Sequence, residues 1–119
     1  MRESDRNEKK DFLPRIAQYI KRGIASWYGP GFHGKKTASG EVFNMYEMTA
    51  AHKTLPIHSY AQVTNLNNNK SVIVRINDRG PYSHNRLLDL SYAAAKKIGI
   101  HSAGTGKVEI KAISPTEAL

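Results

Sequence analysis

The run Ser71-Val-Ile-Val-Arg-Ile76, followed at once by Asn77-Asp78-Arg79-Gly80-Pro81, decides how this chain is read. Val72, Val74 and Ile76 alternate with Ile73, Arg75 and Asn77, the period of a strand with one buried face. The run ends in an acid, a base and a Gly-Pro turn, which places a charged pair at a sheet rim where a cleft can use it. Upstream, Tyr60 to Leu66 reads as a second strand, and Asn67-Asn68-Asn69-Lys70 joins the two with residues that tolerate left-handed turn conformations. A β-hairpin is expected there.

Working outward, Ile24-Ala-Ser-Trp-Tyr28 is a strand closed by Gly29-Pro30-Gly31, Arg86-Leu-Leu-Asp-Leu90 is another, and Lys107-Val-Glu-Ile-Lys-Ala-Ile113 closes the domain with alternating apolar residues. Two helices are predicted. Met45 to Ala51 is short; Ser91-Tyr-Ala-Ala-Ala-Lys-Lys-Ile-Gly99 has a capping serine, an alanine-rich body, lysines in its last turn and a terminal glycine. Phe12-Leu13, Ile16, Tyr19 and Ile20 recur at near-helical spacing around Pro14, as a short turn or extended segment against the domain edge. Five or six short strands with two small helices make the fold mainly β, a compact β-barrel, because the connections are too short for repeated crossover helices. Three units follow: a polar N-terminal arm over 1–22, a barrel over 23–113 and a tail over 114–119.

At 119 residues the chain is one domain, with 39% hydrophobic and 24% charged residues, ordinary for a soluble globular protein. The net charge of +8 favours polyanionic partners, and by itself does not choose among nucleic acid, anionic lipid and acidic polymers. Nucleic acid is not expected, since the aromatic and arginine-rich sheet face of a single-strand binder is missing. With no cysteine there is no disulfide framework, thiol nucleophile or Cys-ligated zinc. His58, His84 and His101 lack metal-ligand spacing, so no zinc site is expected, and the function weighed below needs neither metal nor cofactor. No apolar run approaches the ~20 residues of a membrane span, and the opening Met1 to Lys10 is too polar to be the apolar core of a signal peptide.

Several motifs occur in order over Gly23 to Ile113: Gly23-Ile-Ala-Ser-Trp-Tyr-Gly29, Phe32-His33-Gly34, Thr37-Ala-Ser-Gly-Glu41, Thr49-Ala-Ala-His52, Leu55-Pro56, Val63-Thr-Asn-Leu66, Asn77-Asp-Arg-Gly-Pro81 and Asp89-Leu-Ser-Tyr-Ala-Ala-Ala95. Together they resemble the rare lipoprotein A family. The resemblance implies a six-stranded double-psi β-barrel with two or three short helices, of the kind shared with expansins. It also implies a bacterial cell-envelope protein, periplasmic or outer-membrane-associated, acting as a lytic transglycosylase on peptidoglycan glycan strands stripped of peptide, at the division septum. A monomer is expected. Matched motif by motif, the family's active-site residues fall on Glu41, His52 and Asp78. The family's lipid-attachment cysteine has no counterpart here, and the chain ends soon after the barrel motifs, so anchoring and septal targeting are not carried over.

A lytic transglycosylase needs one group that protonates the leaving glycosidic oxygen and then accepts the proton of the muramyl 6-hydroxyl. A carboxyl held partly out of water can serve both steps, and Asp78 is assigned that role. Arg79, next in the chain, either binds a substrate carboxylate or braces the turn. Glu41 would stabilise charge on the sugar ring or polarise the incoming hydroxyl, and His52 would hydrogen-bond a carboxylate or a sugar hydroxyl. Trp27, Tyr28 and Tyr82 supply flat faces for sugar rings, with His33, Thr37 and Ser39 as polar contacts. Plainer readings stand beside these. Asp78 can cap its own turn, Glu41 can be a solvated loop residue, and His52 can satisfy helix-end carbonyls. Trp27 and Tyr28 must face opposite ways, with Tyr28 expected nearer the cleft. Asp89 is expected to anchor a strand end, and Lys96 and Lys97 to be solvated. A glycan-binding barrel without catalysis is the competing function.

Overall fold

The computed structural model describes residues 19–114. Among the described residues the strands are β1 (Ile20–Trp27), β2 (Thr49–His52), β3 (Tyr60–Asn65), β4 (Ser71–Asp78), β5 (Leu88–Leu90) and β6 (Thr105–Ile113), with an α-helix, α1 (Tyr92–Ile98), and a 3-10 turn over Pro30–Phe32. The strands close a barrel in the order β1-β5-β2-β4-β3-β6, with β6 returning to β1. Two pairs, β1 with β5 and β2 with β4, run parallel; the others are antiparallel. Closure leaves no free sheet edge.

The expected hairpin joins β3 to β4, with Val63 opposite Val72 and Asn69 in the left-handed conformation that an asparagine accepts. Val72, Val74 and Ile76 point into the barrel, where they meet Val63, Leu88, Leu90, Val108 and Ile110. Each fully buried side chain of this kind contributes about 1.5–3 kcal/mol by leaving water. Helix α1 covers one end of this core with Ala94, Ala95 and Ile98. The Ser91 side chain accepts from the Ala94 amide at 3.2 Å, and Gly99 closes the helix at φ 81°, as its sequence signals require.

One expected element is absent. Met45 to Ala51 is not a helix: residues 45–48 form turns, and Thr49 to His52 form β2, buried at every position. Between β4 and β5 there is room only for an extended chain with small side chains, which Ala50 and Ala51 provide. Tertiary packing here overrides the helical preference of alanine, because propensity is a small term beside burial. His52 therefore ends a strand, and its expected role at a helix terminus falls away. The first strand begins at Ile20, ahead of the expected Ile24; of the segment expected over 12–20, residues 12–18 lie outside the described residues and Ile20 opens β1. No helix among the described residues is long and apolar enough to cross a membrane.

Candidate active site

Opposite β2, the last residues of β4 leave the regular ladder: Ala50 pairs with Ile76 but Ala51 pairs with Asp78, so Asn77 is an extra residue in a bulge. Bulges re-aim the side chains that follow them. Beyond the bulge, Gly80 adopts φ 125°, a conformation that L side chains rarely accept, and the chain turns sharply into Pro81. Asp78 thus sits at a rim held from both sides.

Three donors fix its carboxylate. Oδ1 accepts the backbone amides of Ala38 and Arg79, each at 2.9 Å, and Oδ2 accepts the Tyr28 hydroxyl at 2.8 Å. A carboxylate oxygen has two lone pairs. Oδ1 uses both, whereas Oδ2 keeps one without a partner among the described residues. That position is where a proton can sit or leave. Burial, with the hydrogen bond and the negative charge of Asp78, raises the Tyr28 hydroxyl well above its ordinary range, so it stays protonated and donating.

Around Asp78 is a cavity of about 420 Å³ walled by Trp27, Tyr28, Phe32, Pro81 and Tyr82, with Arg86 and Asp89 among its polar edges. Tyr82 is 88% exposed, an aromatic face offered to solvent beside a carboxylate. Trp27 turns its indole toward α1: Nε1 donates to the His101 carbonyl at 3.2 Å and the ring lies 5.2 Å from that of Tyr92. Residue type and spacing single out neither Phe32, whose ring is 5.4 Å from that of Tyr28, nor the Ser26–Asp89–Arg86 cluster. Asp89 is expected as a strand anchor and is one, but it also borders the cleft, which residue type alone does not reveal.

Glu41 stands outside this cavity. Arg75 grips it with two hydrogen bonds, at 2.5 and 2.9 Å, and Ser39 Oγ donates at 3.1 Å. The Arg75 guanidinium holds the Glu41 carboxyl below its usual range, so it is ionised. The same loop is tied internally by Thr37 Oγ1, which donates to the Glu41 carbonyl at 2.9 Å and shares a 2.8 Å contact with Ser39 Oγ. The Ser39 amide donates to the Asn77 carbonyl at 3.2 Å. Thr37, Ser39 and Glu41 thereby position the Ala38 amide on Asp78 and do not line the cleft. His33 accepts from the Met45 amide at 3.2 Å and stacks edgewise on Tyr46, away from Asp78.

His52 is 2% exposed. Its Nδ1 accepts the amides of Thr54 (3.1 Å) and Leu55 (3.0 Å), which leaves the proton on Nε2, 3.0 Å from the Tyr19 hydroxyl. Burial, followed by the charges of Arg79, Lys21 and Lys53, lowers its pKa to about 4. The ring lines a second cavity, not the Asp78 cleft. Arg79 connects the two. Its Nη1 donates to the carbonyls of His52 (3.1 Å) and Leu55 (2.7 Å), while its backbone amide holds Asp78.

The barrel defines the class: a six-stranded double-psi β-barrel. It superimposes on a Streptomyces papain inhibitor with a TM-score of 0.66 at 19% identity, covering 82% of this chain and 96% of that one. It superimposes on an expansin of Clavibacter michiganensis with a TM-score of 0.65 at 18% identity, covering 82% and 52%. Those likenesses concern the fold alone. Residues 20–110 match the family described as lytic transglycolase, and the chain belongs to that family. It is 65% identical over 95 residues to an endolytic peptidoglycan transglycosylase RlpA of Haemophilus influenzae, covering 80% of this chain and 33% of that protein. The RlpA of Pseudomonas aeruginosa is 59% identical, covering 80% and 28%, and that of Neisseria meningitidis 52%, covering 92% and 46%. The chain thus spans less than half the length of these relatives.

Proposed function

We propose that this domain is a peptidoglycan lytic transglycosylase that cleaves the β-1,4 bond between N-acetylmuramic acid and N-acetylglucosamine in peptide-stripped strands. The observation that carries the proposal is Asp78 Oδ2, a carboxylate atom with one unused lone pair, at the base of an aromatic-walled cleft. Sugar rings present flat C–H faces that pack on aromatic rings, and Tyr82 and Phe32 are exposed for that purpose.

The reaction requires Asp78 to take up a proton at Oδ2, which it then donates to the glycosidic oxygen as the bond to the muramyl anomeric carbon breaks. Positive charge builds on the ring. Asp78, now a carboxylate, takes the proton of the muramyl 6-hydroxyl at the same atom as that oxygen bonds to the anomeric carbon. The products are a 1,6-anhydromuramyl end and a new 4-hydroxyl, and Asp78 is returned to its starting state without water being consumed. Tyr28 remains a donor to the other lone pair of Oδ2 throughout, which keeps the atom aimed at the cleft. Glu41 and His52 act as positioning residues. Glu41 with Arg75 sets the loop that carries the Ala38 amide, and His52 sets the turn that Arg79 braces. Arg79 and Trp27 complete the cleft wall. The function places the protein in the bacterial cell envelope, on the periplasmic side, in wall remodelling during daughter-cell separation. A monomer would suffice, since one chain supplies every group invoked.

A barrel that binds glycan without cleaving it is the second reading, favoured by the three donors that already engage Asp78. The two separate cleanly when the purified domain is incubated with intact and amidase-stripped peptidoglycan and the soluble products are weighed by mass spectrometry. Anhydromuramyl ends from the stripped substrate are expected. Reducing ends would mark a hydrolase, and no soluble product with binding retained would establish the glycan-binding barrel.

A further inference from the structure

The second cavity, of about 390 Å³, lies on the far side of the segment Ser83 to Arg86 from the Asp78 cleft, and Arg86 lines both. Its wall carries Lys21, Arg22, Lys53, His84 and Arg86, and among the described residues no Asp or Glu lines it. Two of these cations are already engaged. Arg86 donates to Asp89 at 2.7 Å, and Arg22 stands 3.8 Å from Glu109 on the outer surface. Lys21 has no acidic partner among the described residues, and Lys53 donates only to the Ser83 carbonyl, at 3.0 Å, which holds its ammonium over the segment dividing the cavities. Unpaired ammonium groups converging on a concave surface create a positive potential that an anion relieves. The neutral, buried His52 at the base registers that field, because Lys21 and Lys53 both help to hold its pKa down.

A bare inorganic ion would fill a small part of such a cavity; a sugar with an acidic substituent is the size it admits. We propose that this basic pocket binds a carboxylate carried by the same glycan strand that the Asp78 cleft holds, at a sugar beyond the cleavage point, with Lys21 and Lys53 as its cationic contacts. The proposal rests on the reading of the Asp78 cleft as a peptidoglycan site, whose muramyl residues bear lactyl carboxylates once peptide is removed. Arg86, shared by the two cavities and immobilised by Asp89, is the wall over which the strand passes. The pocket would then set register along the strand, and the cleft would cut it.

The test uses binding rather than turnover. Peptide-stripped glycan oligomers are compared with the same oligomers after their carboxyls are converted to neutral amides, against the Asp78→Asn protein, by calorimetry at fixed ionic strength. The carboxylated strands are expected to bind roughly tenfold more tightly, as two partly desolvated charge contacts allow. Adding Lys21→Gln and Lys53→Gln should reduce that preference to about twofold or less, with folding checked by circular dichroism. Lys96→Gln with Lys97→Gln, the same charge change on exposed α1 positions, should leave it intact. Equal binding of both strands by the parent, a preference that survives the pocket substitutions, or an equal loss in the α1 control would each overturn the proposal. Equal binding is also the result if the pocket takes phosphate in place of carboxylate. A domain that shows the carboxylate preference but never cleaves would refute the transglycosylase reading and leave this pocket assigned.

Discussion

The two cavities beside the Ser83 to Arg86 segment share strand β1 and Arg86 and carry opposite chemistry. The Asp78 cleft has aromatic walls, two carboxylates at its edge and a proton position left open on Oδ2. The His52 pocket has lysines at its rim and a histidine at its base whose two ring nitrogens are both occupied. A titratable residue is suited to chemistry by what remains unsatisfied on it, not by its type. His52 is the more buried of the two and the less available.

The largest effect expected from breaking this contrast is at Asp78. Asp78→Asn keeps an acceptor for the backbone amides but cannot shuttle a proton, so anhydromuramyl product release should fall by roughly 10²–10⁴-fold, with the thermal midpoint little changed. Parallel product analysis and calorimetry check both halves.

Next in size is the pH response of His52. Its ordinary value is 6.5 and its folded value about 4, so between those limits the unfolded chain binds the extra proton. Stability from this group is therefore complete above about pH 6.5 and is lost as pH falls toward 4, on the order of 3 kcal/mol in all. Urea midpoints at pH 7.5 and 4.5 should show this fall, and His52→Gln should flatten it while lowering stability at the higher pH.

Tyr28→Phe removes one donor from Oδ2 and leaves the ring wall in place. A hydrogen bond to a charged group contributes about 1.5–3 kcal/mol, so kcat should drop by roughly 10–100-fold while KM moves little. Steady-state rates on stripped strands would decide it, and a rise in KM alone would make Tyr28 a binding residue only. Smallest is Tyr82→Ala. Because the ring is 88% exposed, stability should stay within about 0.5 kcal/mol. Glycan affinity should weaken by roughly tenfold or less, as one stacking face allows, read by titration of the Asp78→Asn background.

What could be read from the sequence depended on whether its cause was local. The β3–β4 hairpin and α1 announce themselves through Asn67 to Lys70, Ser91 and Gly99, residues acting on their own neighbours. β2 does not, because four residues containing two alanines become a strand only when β4 and β5 enclose them. The same division runs through the site. Asp78 was legible as an acid ending a strand before Gly-Pro, yet the Ala38 amide and Tyr28 hydroxyl that aim it arrive from positions 40 and 50 residues away. The Arg75 grip on Glu41 spans 34 residues, a contact that no local pattern announces. Motif order brought Glu41, His52 and Asp78 onto one page. In the fold, Asp78 is the one of the three that lines the aromatic cleft.

The most direct test of that separation is a crystal structure of the Asp78→Asn protein with a peptide-stripped glycan oligomer bound. The account predicts the scissile oxygen within about 3 Å of the position Oδ2 occupies, with a sugar ring on Tyr82. A strand that bypasses residue 78, with its glycosidic oxygen placed against Glu41 or His52 instead, would contradict it.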